Sequence, residues 1–193
     1  MRSFTLRPLL LPVAAGLGLS LLSGLPAQAH SVADAGFGTG FSHPLTGLDH
    51  LLLLVGVGGV ASYISSSVLV FALVGAVGGA VLGAFGGGLP AAEVLAALAI
   101  SALGLILLAG WRDYRKPRLG LIGTVVAMAV AVHAILHGQE ASGAVSWWLG
   151  AALASTLVVG VSYAVLRRAH VVWTLVAAAL LSVAGVMLAF APA

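Results

Sequence analysis

The chain reads as an all-α polytopic membrane protein, a bundle of six transmembrane helices behind a removable signal segment. Three observations predict this. Of 193 residues, 61% are hydrophobic. Only 7% are charged, against about 25% in a soluble domain. The apolar residues fall in runs of about 20, which suit spanning helices and not barrel strands. Mean hydropathy is +1.18. The formal net charge of +3 comes from a few basic residues placed by topology. The expected partner is therefore the lipid bilayer, not nucleic acid. With no cysteine in the chain, disulfides, thiolate metal sites and thiol catalysis are excluded together.

Residues 1–29 have the layout of a secretory signal. Arg2 and Arg7 form the basic start, Leu9 to Leu25 the apolar stretch, and Ala27-Gln28-Ala29 an A-x-A cleavage site. An uncleaved first helix is the competing reading, and the A-x-A site favours cleavage. The mature chain then begins at His30, and residues 30–193 form one transmembrane domain.

Six spans are expected at about 45–64, 67–85, 91–110, 119–138, 145–166 and 170–190. The loops are short, so successive helices should pack antiparallel. Beyond the signal, basic residues occur in two loops. Arg112, Arg115, Lys116 and Arg118 fill one, and Arg167 and Arg168 the other. Basic loops stay in the cytoplasm. Both mature termini then lie outside, which for a bacterial inner membrane is the periplasm.

The first span opens with His43-Pro44-Leu45-Thr46-Gly47-Leu48-Asp49-His50. Thr46 is placed to cap the helix, with Asp49 at the capping-box position. The second span carries Gly75, Gly79, Gly83 and Gly87, four residues apart and so on one face. Such small-residue ridges let helices approach closely in lipid. Gly56 and Gly59 are expected to serve the same seam. Gly86-Gly87-Gly88 before Pro90 ends the span and is no phosphate loop, because no Gly-Lys-Ser/Thr follows. The third span has Glu93 at its outer end. The fourth leaves the membrane through His133-Ala134-Ile135-Leu136-His137-Gly138-Gln139-Glu140. His133 and His137 share one face at i, i+4, and Glu140 extends the stripe if the helix persists through Gly138. His170 sits beside Arg167 and Arg168 and reads as an interfacial residue. Asp113 reads as a solvated partner in the basic loop.

Ionisable groups in apolar spans are expensive and mark sites. A lone histidine on an apolar helix is more often a hydrogen-bonded packing residue than a ligand. Here four histidines and the carboxylates all map to one end of a bundle nearly empty of other ionisable groups. Imidazole with carboxylate and no thiolate suits a borderline divalent metal. The candidate ligands are His43, Asp49, His50, His133, His137 and Glu140, with His30 and Glu93 as further candidates. His30, as a new N-terminus, would add its α-amine to its ring as a chelate, with Gly36, Gly38 and Gly40 as a flexible tether to His43.

The run His43-Pro44-Leu45-Thr46-Gly47-Leu48-Asp49-His50-Leu51-Leu52 resembles the first-span signature of the HupE/UreJ family, and His133 to Glu140 is similar to its second signature. Phe71 with Gly78 and Gly79, and Glu93 with Ser101, Leu103 and Gly104, are similar to weaker patterns in the second and third spans. The chain departs from the family pattern at Leu54 and Gly75, where members carry Met, and near Ser155 and Thr156, where a His is expected. The resemblance implies a permease for Ni2+, or Co2+ as second choice, running from periplasm to cytoplasm. It also implies metallochaperones of hydrogenase or urease maturation as partners. The metal is then the transported ion, and no organic cofactor or enzymatic activity is implied. Two alternatives stay open: a membrane metal-binding or sensor protein without transport, and a bis-His haem protein. An intramembrane hydrolase is disfavoured, because Ser65-Ser66-Ser67 lies at the opposite end of the first span from the histidines.

The absence of cysteine makes the topology directly testable. Single cysteines at Gly88 and Ser142 should label with an impermeant thiol reagent from outside, and one at Lys116 should not. Outside labelling at Lys116 would reverse the orientation.

Overall fold

The computed structural model describes residues 36–112, 119–140 and 145–191. The signal segment 1–29, His30 and the basic residues 113–118 lie outside the described residues. Among those described there are seven helices and no strand: α1 (Phe37–Thr46), α2 (Leu48–Tyr63), α3 (Val68–Ala84), α4 (Ala92–Arg112), α5 (Leu119–Glu140), α6 (Val145–Arg168) and α7 (Val171–Ala189). Helices α2 to α7 fall on the six expected segments. Four helical segments are long and apolar enough to cross a membrane, at Ala92–Gly110, Leu119–Gln139, Val145–Arg168 and Val171–Ala189. α3 is apolar but has 17 residues, about 26 Å at 1.5 Å per residue, slightly short of a hydrocarbon core of about 30 Å.

The seventh helix is α1, and it changes the picture of the first span. Gly38 and Gly40 do not form a tether; they lie inside α1. α1 and α2 pass the apolarity test together, but they meet at a bend of 78°, a broken span or a re-entrant turn. The break is at Gly47, which is extended with φ −79° and ψ 121°. Any residue adopts such angles, so the reason for glycine here is space. A Cβ on Gly47 would run into Nδ1 of His50 and lie 3.0 Å from Asp49 Oδ1. Thr46 does not cap α2. It ends α1, and its hydroxyl donates back to the Ser42 and His43 carbonyls at 3.2 and 3.3 Å. Gly47 is the N-cap of α2 and makes no side-chain cap bond.

α2 is the central helix. It contacts α1, α3, α4, α6 and α7, as befits a helix that is apolar nearly all round. Leu53, Val57 and Val60 of α2 join Ile100, Leu103 and Leu107 of α4 and Leu181 of α7 in the core. α3 packs along α5, α4 along α7, and α6 along α1 and α2.

Glycine sets the closest of these approaches. A Cβ on Gly75, Gly79 or Gly83 would strike the backbone carbonyl of Ala127, Ala131 or Ile135 on α5. In return, a Cβ on Gly138 of α5 would strike the Ala80 carbonyl. Gly87 is not in this ridge. α3 ends at Ala84, and a Cβ on Gly87 would meet Leu82 of its own segment. Nor do Gly56 and Gly59 serve the α3 seam. Gly56 faces Leu103 of α4, and Gly59 faces Leu107 of α4 and Leu166 of α6.

Neighbouring glycines test this packing. A Cβ at Gly78 meets nothing within 4 Å, so Gly78→Ala should leave thermal stability in detergent unchanged or slightly raised. Gly79→Ala should lower stability by about 1–3 kcal/mol through overpacking. Equal melting temperatures for the two variants would contradict the close α3–α5 contact.

Candidate metal centre

Three helices deliver the ionisable side chains to one end of the bundle. α1 brings His43 in its last turn. α2 brings Asp49 and His50 in its first turn, immediately past the break. α5 brings His133 and, in its last turn, His137. The C-terminal ends of α1 and α5 carry partial negative charge and favour a cation. The N-terminal end of α2 favours the Asp49 carboxylate.

The four rings form one cluster. Ring centroids are 4.6 Å apart for His43 and His50, 4.7 Å for His43 and His137, 4.4 Å for His50 and His133, and 5.2 Å for His133 and His137. Nε2 of His50 lies 2.7 Å from Nε2 of His137. Nδ1 of His50 lies 2.8 Å from Asp49 Oδ1. An ionised carboxylate only accepts, so Nδ1 of His50 donates to it, which leaves the lone pair on Nε2. This is the carboxylate–histidine arrangement that fixes a metal-ligating tautomer. Two facing Nε2 lone pairs repel unless a proton or a cation lies between them. At 2.7 Å the contact is a hydrogen bond, with Nε2–H of His137 donating to Nε2 of His50.

His133 is the most telling residue. It is 6% exposed, and neither ring nitrogen has a hydrogen-bond partner among the described residues. Asp49 Oδ2 is near its Nε2 but at 3.6 Å, too far for a hydrogen bond. Leaving such a group unsatisfied costs about 1–3 kcal/mol. A buried imidazole with its nitrogens unspent is chemically ready for a ligand. Two sets of three residues place ligand atoms within 4.8 Å of one another: His43, His50 and His137, and Asp49, His50 and His133.

Of the other sequence candidates, only Glu93 has a described side chain. Glu93 is exposed in the first turn of α4 and belongs to neither set. α5 does continue through Gly138 to Glu140, but the Glu140 side chain, like His30, lies outside the described residues. His170 is the N-cap of α7, its Nδ1 accepting from the Val172 N–H at 3.4 Å, far in sequence and fold from the cluster.

The structure adds Trp147. Its ring lies 5.5 Å from that of His43 and 6.1 Å from that of His137, and Trp148 braces it edge-on at 5.0 Å. It is held there by the tight α1–α6 contact, in which a Cβ on Gly40 would strike the Trp147 carbonyl. The signal in the sequence was a Trp pair at the start of an apolar span, which by itself reads as an interfacial belt. A cavity of about 490 Å³ opens beside the cluster between α3 and α6. All four histidines and both tryptophans line it, and it descends past Leu54 and Val130 to Ser155 and Thr156. Leu54 and the Ser155–Thr156 segment, two of the places where the chain departs from the family pattern, thus line this cavity.

Comparison with known proteins gives a family. A family profile described as HupE / UreJ protein matches residues 17–192. "Protein HupE" of Rhizobium leguminosarum bv. viciae is 35% identical over 159 residues, covering 74% of this chain and 79% of that protein. No solved structure matches. On the near-complete span of the profile and the extent of that identity, this membrane protein belongs to the HupE/UreJ family.

Proposed function

We propose that the protein is a permease of the bacterial inner membrane that admits Ni2+, with Co2+ as second choice, from the periplasm to the cytoplasm. The observation that carries this reading is the convergence of four imidazoles and one carboxylate from α1, α2 and α5 at one end of an otherwise apolar bundle. Imidazole ligands select a borderline transition metal over Mg2+ and Ca2+, which prefer all-oxygen sites. Asp49 offsets part of the ion's charge and orients His50. In this reading the bent α1–α2 pair is the first of six spans, both mature termini are periplasmic, and metallochaperones of hydrogenase or urease maturation receive the ion. Glu140 and His30 are proposed to extend the ligand set on the outer side.

No nucleotide site is needed to drive uptake. Moving a divalent ion inward across 100 mV gains about 4.6 kcal/mol, a concentration ratio above about 10³. A bis-His haem is a poor fit to the cluster, since Nε2 atoms in direct contact leave no room for a macrocycle between them.

Uptake of radiolabelled Ni2+ into proteoliposomes, with Co2+, Zn2+ and Mn2+ in competition, tests the reading. Wild type should show saturable uptake, His50→Ala should abolish it, and His170→Ala should leave it intact. Binding without uptake would make the protein a metal-binding or sensor protein instead. Acidity offers a second check. Protons compete with the metal for imidazole, so the half-saturating Ni2+ concentration should rise steeply as external pH falls from about 7 to about 5.5. An affinity independent of pH over that window would argue against imidazole ligands.

A further inference from the structure

The two three-residue ligand sets have one member in common, His50. Its nitrogens face different partners. Nδ1 lies against Asp49 at 2.8 Å, and Nε2 lies against His137 at 2.7 Å. A neutral imidazole offers one lone pair in the ring plane, on one nitrogen at a time. The ring can therefore complete either set but not both together. The sets also differ in chemistry. His43, His50 and His137 are all imidazole and leave the charge of a divalent ion whole. Asp49, His50 and His133 include a carboxylate, which cancels half of it, and the buried His133 ring, whose nitrogens have no hydrogen-bond partner among the described residues.

We propose that the cluster is two alternative stations for one ion, His43/His50/His137 and Asp49/His50/His133, and that the ion crosses it by exchanging ligands around the shared His50 ring. The purpose of the exchange rests on the permease reading above; the existence of two stations does not. Sharing His50 has two consequences. Only one ion is held at a time, so the stations do not fill independently. The exchange also moves one proton the other way: Nδ1 gives up the proton it holds against Asp49 as the ion arrives there, and Nε2, facing His137, is reprotonated as the ion leaves, while Asp49 and His133 receive the ion so that its charge is not left unpaired in an apolar interior.

Two alternative stations and one composite site respond differently to mutation. The test measures Ni2+ binding by calorimetry on the purified full-length protein in detergent, and Ni2+ uptake in proteoliposomes. The variants are His43→Ala, His133→Ala, the double variant and His50→Ala. With two stations of similar strength, removing one lowers the binding constant only about twofold. The double variant and His50→Ala lose saturable binding. Each single variant still lowers the maximal uptake rate at least about tenfold, because capture survives and the exchange does not. A composite site gives a binding loss of at least about tenfold in each single variant, and that result overturns the proposal. A single variant that transports at the wild-type rate overturns it as well. His43→Gln and His133→Gln replace the alanine variants if those fail to fold. Wild-type protein that binds Ni2+ without transporting it ends the permease reading, and the binding measurements still decide between two stations and one.

Discussion

The site depends on the break between α1 and α2. A single straight helix through residues 37–63 would place His43 and His50 nearly two turns apart, roughly 10 Å along the axis. The 78° bend brings their rings to 4.6 Å instead. The same bend sets the C-terminal end of α1 and the N-terminal end of α2 side by side, so partial charges of both signs meet at one place. Gly47 allows this because the His50 ring and the Asp49 carboxylate occupy the space its Cβ would need. The turn and the ligand geometry are one feature.

Glycine contacts then decide how the remaining ligand helix is held. α3 and α5 lie backbone to backbone along Gly75, Gly79, Gly83 and Gly138. α2 and α5 are not among the helix pairs that pack along one another. The imidazole rings themselves span the gap between them, with His50 and His137 in contact at their Nε2 atoms. α5 is therefore positioned by α3 and α4, and its two histidines reach across to α2. The arrangement leaves an open cleft beside the cluster, lined by the four rings on one side and by exposed side chains such as Leu73 and Val77 on the other. The cluster thus lies between helices that are not locked to each other by close packing.

Several hydroxyls away from the cluster are spent on the backbone. Ser101 donates to the Ser182 carbonyl, and Thr124, Thr156 and Ser162 each donate to a carbonyl one turn back. These bonds are the ordinary way for hydroxyls to satisfy themselves in an apolar bundle. His133 differs because its nitrogens are buried and hydrogen-bonded to none of the described residues. That contrast, more than the number of histidines, is what makes His133 a candidate ligand and not an ordinary packing residue.

The sequence alone determined the all-helical membrane class, because long apolar runs with almost no charge have no other stable form in lipid. It also singled out the histidines and Asp49 that the fold gathers and determined that His133 and His137 share a face, since the i, i+4 spacing fixes that locally. It placed six helices close to where they lie. It did not reveal α1, whose glycines and Pro44 argue for a loop by intrinsic propensity; packing of Gly40 against Trp147 and of Gly150 against Phe37 overrides that preference. It suggested Thr46 and Asp49 as a capping box, whereas Asp49 is engaged with His50. Only the tertiary structure decided that Glu93 stands apart, that Trp147 walls the cluster, and that His50 is shared between two ligand sets. Those outcomes depend on the angle between helices and on which helix faces which. Both are set by contacts between residues as far apart in the chain as Gly83 and Ile135 or His50 and His137, and no local spacing encodes them.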